Sequence, residues 1–457
     1  MFEINDVKDY IKCKRLFYIN TKEESSYYFS QLRNNEDSFA LLKNYFSITR
    51  CYIGKENDKN KDLLSNFNNY EWFFECYINM GSLRIKIPLL QKVLNNKINL
   101  YYPIFLTNPS ATNPIYYNQI FQAVKNLGFN INKVFIINLN PNYIRKNEII
   151  TKELFEVSEF FYTSNHKTNE KVIKWIKEHN RDYSKIIKAM QNTLDTNIPD
   201  KIELKKCLKR YNCRFIDQCH PDYQQRENKS IQKPVLELAK KQAKLNNGLF
   251  VKKIELNNWL NQLEYPLAFL DFEWETYSIP PYKNMKCIDA LPFQYSLDIL
   301  NSNHHLEHKE FLGIKDARLQ LLIKLVNDLP TTGSIVVFNA KGGEKLRLLD
   351  LKRQFPHLAY FIDSIIERIV DISLPFNNGY IYHQKMRGHY SVKSIVQAIS
   401  QLDYEKLNVS SGLQVIEVYA QYQKTLAPNL KNDLLKYCSY DTYSLVLIYK
   451  YLLEVAK

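Results

Sequence analysis

Along residues 266–457 the apolar positions fall into short blocks whose spacing switches between strand and helix. PLAFLDFEW (266–274), FQYSLDIL (293–300) and HLEHKEFL (305–312) read as strands set near hairpin spacing, and GSIVVFNA (333–340) as a buried strand. Helical spacing marks 316–329, 343–355 and 431–454. Early hairpin strands followed by alternating strands and helices predict a mixed sheet flanked by helices, a domain of its own over 266–457. Residues 1–220 mix helical patterns with the strand-like runs SLRIKIPLL (82–90), NLYYPIFL (99–106) and KVFIINL (133–139), an α/β domain. Between them, 221–265 is polar and helix-prone after Pro234, with Leu236, Leu238 and Ala239 as a thin apolar face, and reads as a helical linker.

The 457 residues are 45% apolar and 24% charged, which excludes disorder and fibrous repeats and leaves room for two or three cores. The net charge is +14, from 62 basic and 48 acidic side chains. Residues 266–457 contain 21 and 20 of these, so almost all the excess lies in 1–265. An excess confined to one part is an electrostatic footprint for a polyanion, most simply nucleic acid, against the plainer reading of lysine as a solubilising surface residue. Glu3, Asp6, Lys8 and Asp9 occupy the stretch where a signal peptide needs an apolar core, and no apolar run reaches the length of a membrane span. The expectation is a cytoplasmic protein away from membranes, where eight irregularly spaced cysteines suit metal ligation better than disulfides.

Asp271 and Glu273, two apart at a strand's end, leave the same face, and paired carboxylates call for protons or a hard divalent cation. Tyr437 and Asp441, four apart, share a face of a helix whose other neighbours are apolar. Glu344 opens the helix after GSIVVFNA and could point into the same crevice; compensation of the helix dipole is its alternative role.

In order and spacing these pieces resemble the DEDD superfamily of 3′–5′ exonucleases on a ribonuclease H-like fold, in the subclass whose last motif is Y-x-x-x-D. The likeness extends to an uncharacterised bacterial family that fuses such a domain to an iron–sulfur, PD-(D/E)XK-like front half. FLDFE, PFQYSLDIL, HKEFL, SIVVFN, RIVDI, YSVKSIVQAI and LLKYCSYDT carry it, over about 265–450. The resemblance implies two Mg²⁺ or Mn²⁺ ions roughly 4 Å apart, held by Asp271, Glu273, Glu344 and Asp441, with Asp271 bridging and Tyr437 orienting the attacking water. Asp371 is expected near the site, and Lys393 on a substrate phosphate unless it is simply an exposed lysine at a helix start. The middle acid departs from the superfamily's Asp, and Gly342 and Gly343 stand where an aromatic usually packs.

Cys207, Cys213 and Cys219 form C-x5-C-x5-C, and Cys13 lies near the other end of the same section. Thiolates so spaced bind iron–sulfur clusters or zinc, with Cys13 the candidate fourth ligand and the adjacent His220 an alternative ligand for zinc. The pattern resembles the iron–sulfur staple of certain PD-(D/E)XK nucleases, the CRISPR-adaptation type among them, and so implies a 4Fe-4S cluster. The signature of that nuclease is absent: Lys86 stands where its Asp is expected and no E-x-K follows, with Glu75, Gln119 and Gln122 as relics. Lys205, Lys206, Lys209, Arg210 and Arg214, interleaved with Tyr211 and Phe215, form the densest basic patch, suited to phosphate contact and base stacking or else a solvated face. The leading expectation is a metal-dependent 3′–5′ exonuclease acting on DNA or RNA. Its rival is a catalytically inactive nucleic-acid-binding scaffold with a structural cluster or zinc.

Overall fold

The computed structural model is of mixed α/β class and describes residues 1–22, 32–33, 37–93, 97–108, 113–162, 169–208, 213, 215–221, 234–386 and 390–457. The chain divides into two units, one of residues 1–28, 34–223 and 278–288, the other of 29–33, 224–277 and 289–457.

In the first unit β1 (Cys51–Ile53), β2 (Trp72–Met80), β3 (Leu83–Lys92), β4 (Lys97–Ile104), β5 (Asn130–Leu139) and β6 (Phe155–Ser158) lie side by side in chain order. The ladder is antiparallel from β2 to β4 and from β5 to β6, and parallel between β1 and β2 and between β4 and β5. A parallel neighbour needs a crossover, and the helix Pro114–Asn126 supplies it, with Asn113 capping its start by accepting from the Tyr116 N–H. Along β3 the alternation is regular: Leu83, Ile85, Ile87 and Leu89 are buried and Lys86 is exposed. All three strand-like runs expected in this section are strands. The helices Ile4–Lys12 and Lys14–Lys22 add Val7, Tyr10 and Phe17 to the same core.

In the second unit β7 (Leu267–Tyr277), β8 (Ala290–Leu300), β9 (Leu306–Leu312), β10 (Ile335–Val337) and β11 (Ile369–Asp371) are ordered β9-β8-β7-β10-β11. The β7–β8–β9 meander is antiparallel, while β7–β10 and β10–β11 are parallel. The hairpin spacing and the later alternation of strand and helix are thus reproduced, with helices Arg318–Asp328, Glu344–Gln354 and Pro428–Ala456 where helical spacing placed them.

Two boundaries differ from the sequence reading. The segment taken as a linker folds into the second unit: helices Pro234–Leu245 and Lys253–Leu260 bury Leu236, Ala239, Ala243, Leu256, Trp259 and Leu260, and Leu249–Val251 pairs antiparallel with Ile381–His383. Small and widely spaced apolar residues make a narrow stripe, yet Ala239 and Ala243 let the helix approach closely. Residues 278–288, between β7 and β8, belong to the first unit. Arg145 donates its N–H to the Met285 carbonyl and its guanidinium to that of Pro280, and Ile279 and Cys287 join a core with Trp72 and Tyr101.

Candidate functional site

β7 delivers Asp271 and Glu273 to one face, as the period of two requires, while Leu267, Ala268, Phe269 and Leu270 before them are buried. Immediately after Glu273 the pairing with β8 slips, so that Trp274 lies opposite Pro292. Such a bulge bends a strand and re-aims its side chains. Asp441 comes from the middle of the 29-residue helix Pro428–Ala456. That helix is fastened to β8: Gln294 donates to the Leu434 carbonyl, Ser296 and Thr442 share a hydrogen bond of 2.8 Å, and Thr442 donates to Asp298 at 2.9 Å.

The result is one tight convergence. Oxygens of Asp271, Glu273 and Asp441 all lie within 4.8 Å of one another, the closest such group of His, Cys, Asp or Glu among the described residues, and they could hold a metal ion. They line a cleft of about 730 Å³. Burial, then the charges of Asp441 and its acidic neighbours, pushes Asp271 and Glu273 well above the usual carboxylate range. Burial pushes Asp441 up to about 6, opposed by a 2.7 Å hydrogen bond from the Tyr404 hydroxyl, by the charge of Lys393 and by the hydroxyl of Tyr437. Protons or a cation must relieve this repulsion, and hard oxygen donors of this kind select Mg²⁺, Mn²⁺ or Ca²⁺ over softer ions.

Glu344 lines the same cleft but stands outside the group of three. It is 3% exposed at the first position of its helix; backbone N–H groups of Phe272 and of Glu344 itself favour its charge, yet burial still raises its pKa to about 7. Its Oε2 has no hydrogen-bond partner, a buried acceptor left available at the cleft. Asp371 serves the loop before that helix, accepting from the N–H groups of Asn339, Ala340 and Ser373 at 2.9–3.0 Å. Tyr437 is buried one turn before Asp441, and burial drives its hydroxyl pKa far up. Lys393 is half-buried, so the exposed-lysine alternative does not hold. Two participants were not foreseen: Tyr404, and Cys438, whose thiol donates to Asp271 Oδ2 at 3.6 Å. Cys438 lies between two residues already singled out, which is the one signal that pointed to it.

In the first unit Cys13, Cys207, Cys213 and Cys219 line a single small cavity of about 30 Å³, so the topology does bring the early cysteine to the three late ones. Burial and then the nearness of the other three thiols push Cys207 up, and His220 Nε2 lies 3.8 Å from its sulfur. Lys205 and Lys206 are exposed beside the cavity; Lys209, Arg210, Tyr211 and Arg214 lie outside the described residues. The supposed relics are scattered. Glu75, at a positive φ of 49° where the β2–β3 ladder skips one pair without changing register, pairs with Lys86 at 2.9 Å, Gln122 donates to Asn180, and Gln119 is buried in its helix.

No helix among the described residues is long and apolar enough to cross a membrane. No curated protein and no solved structure matches the chain. One family profile matches, over residues 268–391, and it describes a domain of unknown function, DUF2779.

Proposed function

We propose that the second unit is a divalent-metal-dependent 3′–5′ exonuclease acting on DNA or RNA, and that the first is a basic nucleic-acid-binding domain clasped by its cysteines. The convergence of Asp271, Glu273 and Asp441 carries this reading. The order of the three motifs, the antiparallel meander continued by parallel strands, and Tyr437 one turn from Asp441 support the ribonuclease H-like, DEDD-type assignment. For the first unit, the mixed sheet with a helical crossover and the cysteines drawn from both ends of the domain support a PD-(D/E)XK-like fold without its catalytic acids. The four thiols suit either an iron–sulfur cluster or zinc, and iron and zinc analysis of the protein distinguishes the two.

The three carboxylates would hold the ion, and Glu344 offers its unpartnered oxygen from the cleft wall. A divalent ion bound there supplies positive charge to the scissile phosphate and acidifies a water. Tyr437 holds its proton, because burial disfavours the phenolate, and donates it toward Asp441, so that its oxygen is left to accept from and orient that water. The water oxygen bonds to phosphorus as the bond to the 3′ oxygen breaks; the water loses a proton, the 3′ oxygen gains one, and a 5′-mononucleotide leaves.

The test is degradation of 5′-labelled single-stranded DNA and RNA with Mg²⁺ or Mn²⁺. A ladder shortening from the 3′ end, lost in Asp271→Ala and Asp441→Ala, is the expected result. The separation of Glu344 from the triad favours the rival, an inactive binding scaffold. Intact, metal-loaded protein that binds strands and duplexes without shortening either would establish that rival and overturn the exonuclease.

A further inference from the structure

Beside the acid cleft stands a cation whose seat is built by three separate elements. Lys393 rises from the first turn of the helix Val392–Ile399. Its ammonium donates to the Ser410 carbonyl at 2.6 Å and stands 4.8 Å from the ring centres of both Tyr404 and Tyr437. A carbonyl and two aromatic faces hold a group that would otherwise extend into water. From there it interacts electrostatically with Asp441, Glu273 and Asp271. Glu344 stands outside the gathered three, near Asp371 and Arg347, whose guanidinium lies over the Trp274 ring at 4.7 Å, although its charge still reaches Asp271 and Glu273.

Only the three gathered carboxylates converge closely enough to touch one ion together. Three gathered carboxylates carry three negative charges, and the fixed ammonium leaves two, which one divalent ion neutralises. A second dication would have to approach against the ammonium, and Glu344 is not gathered with the others to draw it in. We propose that Lys393 is a fixed cation of the acid cluster that takes the place of a second divalent ion, so that Asp271, Glu273 and Asp441 bind one ion per chain. The proposal rests on the metal-dependent reading of this site and changes its stoichiometry from the two ions that the family resemblance implies.

Free Mn²⁺ at equilibrium with the full-length chain, measured by electron paramagnetic resonance without nucleic acid, counts the ions directly. Those lost in Asp271→Asn belong to this site, which separates them from any ion bound at the cysteines. One such ion is expected in the unaltered chain. Lys393→Met is expected to bind a second ion, or to bind the first at least tenfold more tightly. Two ions already present in the unaltered chain would overturn the proposal, as would binding in Lys393→Met indistinguishable from it. If Lys393→Met does not fold, the count in the unaltered chain decides alone. A chain that binds no Mn²⁺ here would instead overturn the metal-dependent reading itself, whereas one that binds one ion and never shortens a strand would sink only the exonuclease.

Discussion

The acid cleft and the cysteine cavity are both assembled from a few ligand-type side chains far apart in sequence, and the chain holds them in different ways. Asp271 and Glu273 sit in the middle of an 11-residue strand and Asp441 in a 29-residue helix, which Ser296 and Asp298 of the adjacent strand β8 fasten through Thr442. The cysteines sit at margins: Cys13 caps a helix end, Cys207 lies in a five-residue helix, Cys213 lies outside any helix, and Cys219 ends a four-residue one. The first arrangement is preorganised by the fold. If the thiols bind a metal, as proposed, the second should take its order from it, because short helices have little stability of their own. Metal removal should therefore leave the acid cleft standing and loosen the cysteine end of the first unit.

The largest effects test whether the three gathered acids differ from the fourth. Asp441→Asn should lower strand-shortening activity by more than the ~10–100-fold typical of partners outside the ligand set, with Mn²⁺ binding lost in parallel. Glu344→Gln should cost less than Asp441→Asn in both measurements, since its carboxyl stands outside the group that converges. Equal losses would erase the distinction and restore a four-carboxylate site.

Next in size is Tyr404→Phe, which removes a 2.7 Å hydrogen bond to Asp441 while keeping the ring beside Lys393. A hydroxyl that orients a ligand carboxylate typically governs about 10–100-fold in metal affinity. The expected outcome is a loss in that range, read by Mn²⁺ titration, together with a lower melting temperature, because the same buried hydroxyl also bonds Ser444 at 2.9 Å. Tyr404 could not be found from sequence: it is one of 33 tyrosines, lies 37 residues from its partner, and stands in an isolated turn of 3-10 helix. The acids were legible for the opposite reason, because strand and helix periods fix which neighbours share a face. Asp271 with Glu273, and Tyr437 with Asp441, need only spacings of two and four. The excursion of residues 278–288 into the first unit was illegible because its register is set by Arg145, more than a hundred residues earlier.

On the cysteine side the effect should appear as stability. Cys207→Ser is expected to lose bound iron or zinc by elemental analysis and to lower the first unit's melting transition. A loss of about 3 kcal/mol corresponds to roughly 6–12 °C for a domain of this size. Cys51→Ser, a cysteine remote from the cavity lining, should leave the metal content unchanged. Loss of metal without any shift in melting would show that the fold organises this end as firmly as it does the acid cleft.

The smallest effect lies behind the acid cleft, where Thr442 and His308 both bond Asp298. His308 Nδ1 is 2.8 Å from Asp298 Oδ1, and that hydrogen bond, outweighing partial burial, raises the imidazole pKa above its ordinary 6.5. The folded chain therefore holds this proton at pH values where the unfolded chain has released it. The stabilisation is complete below about pH 6.5 and is lost as pH rises through the raised value. Because the His308 side chain is 39% exposed, screening limits the charge contribution to about 0.5 kcal/mol, or roughly 1–2 °C in the second unit's transition. The unaltered chain should lose that increment relative to His308→Gln between pH 6 and pH 8. A difference between the two that does not change with pH would mean that the imidazole holds Asp298 as a neutral hydrogen-bond donor, alongside Thr442, beneath the helix bearing Asp441.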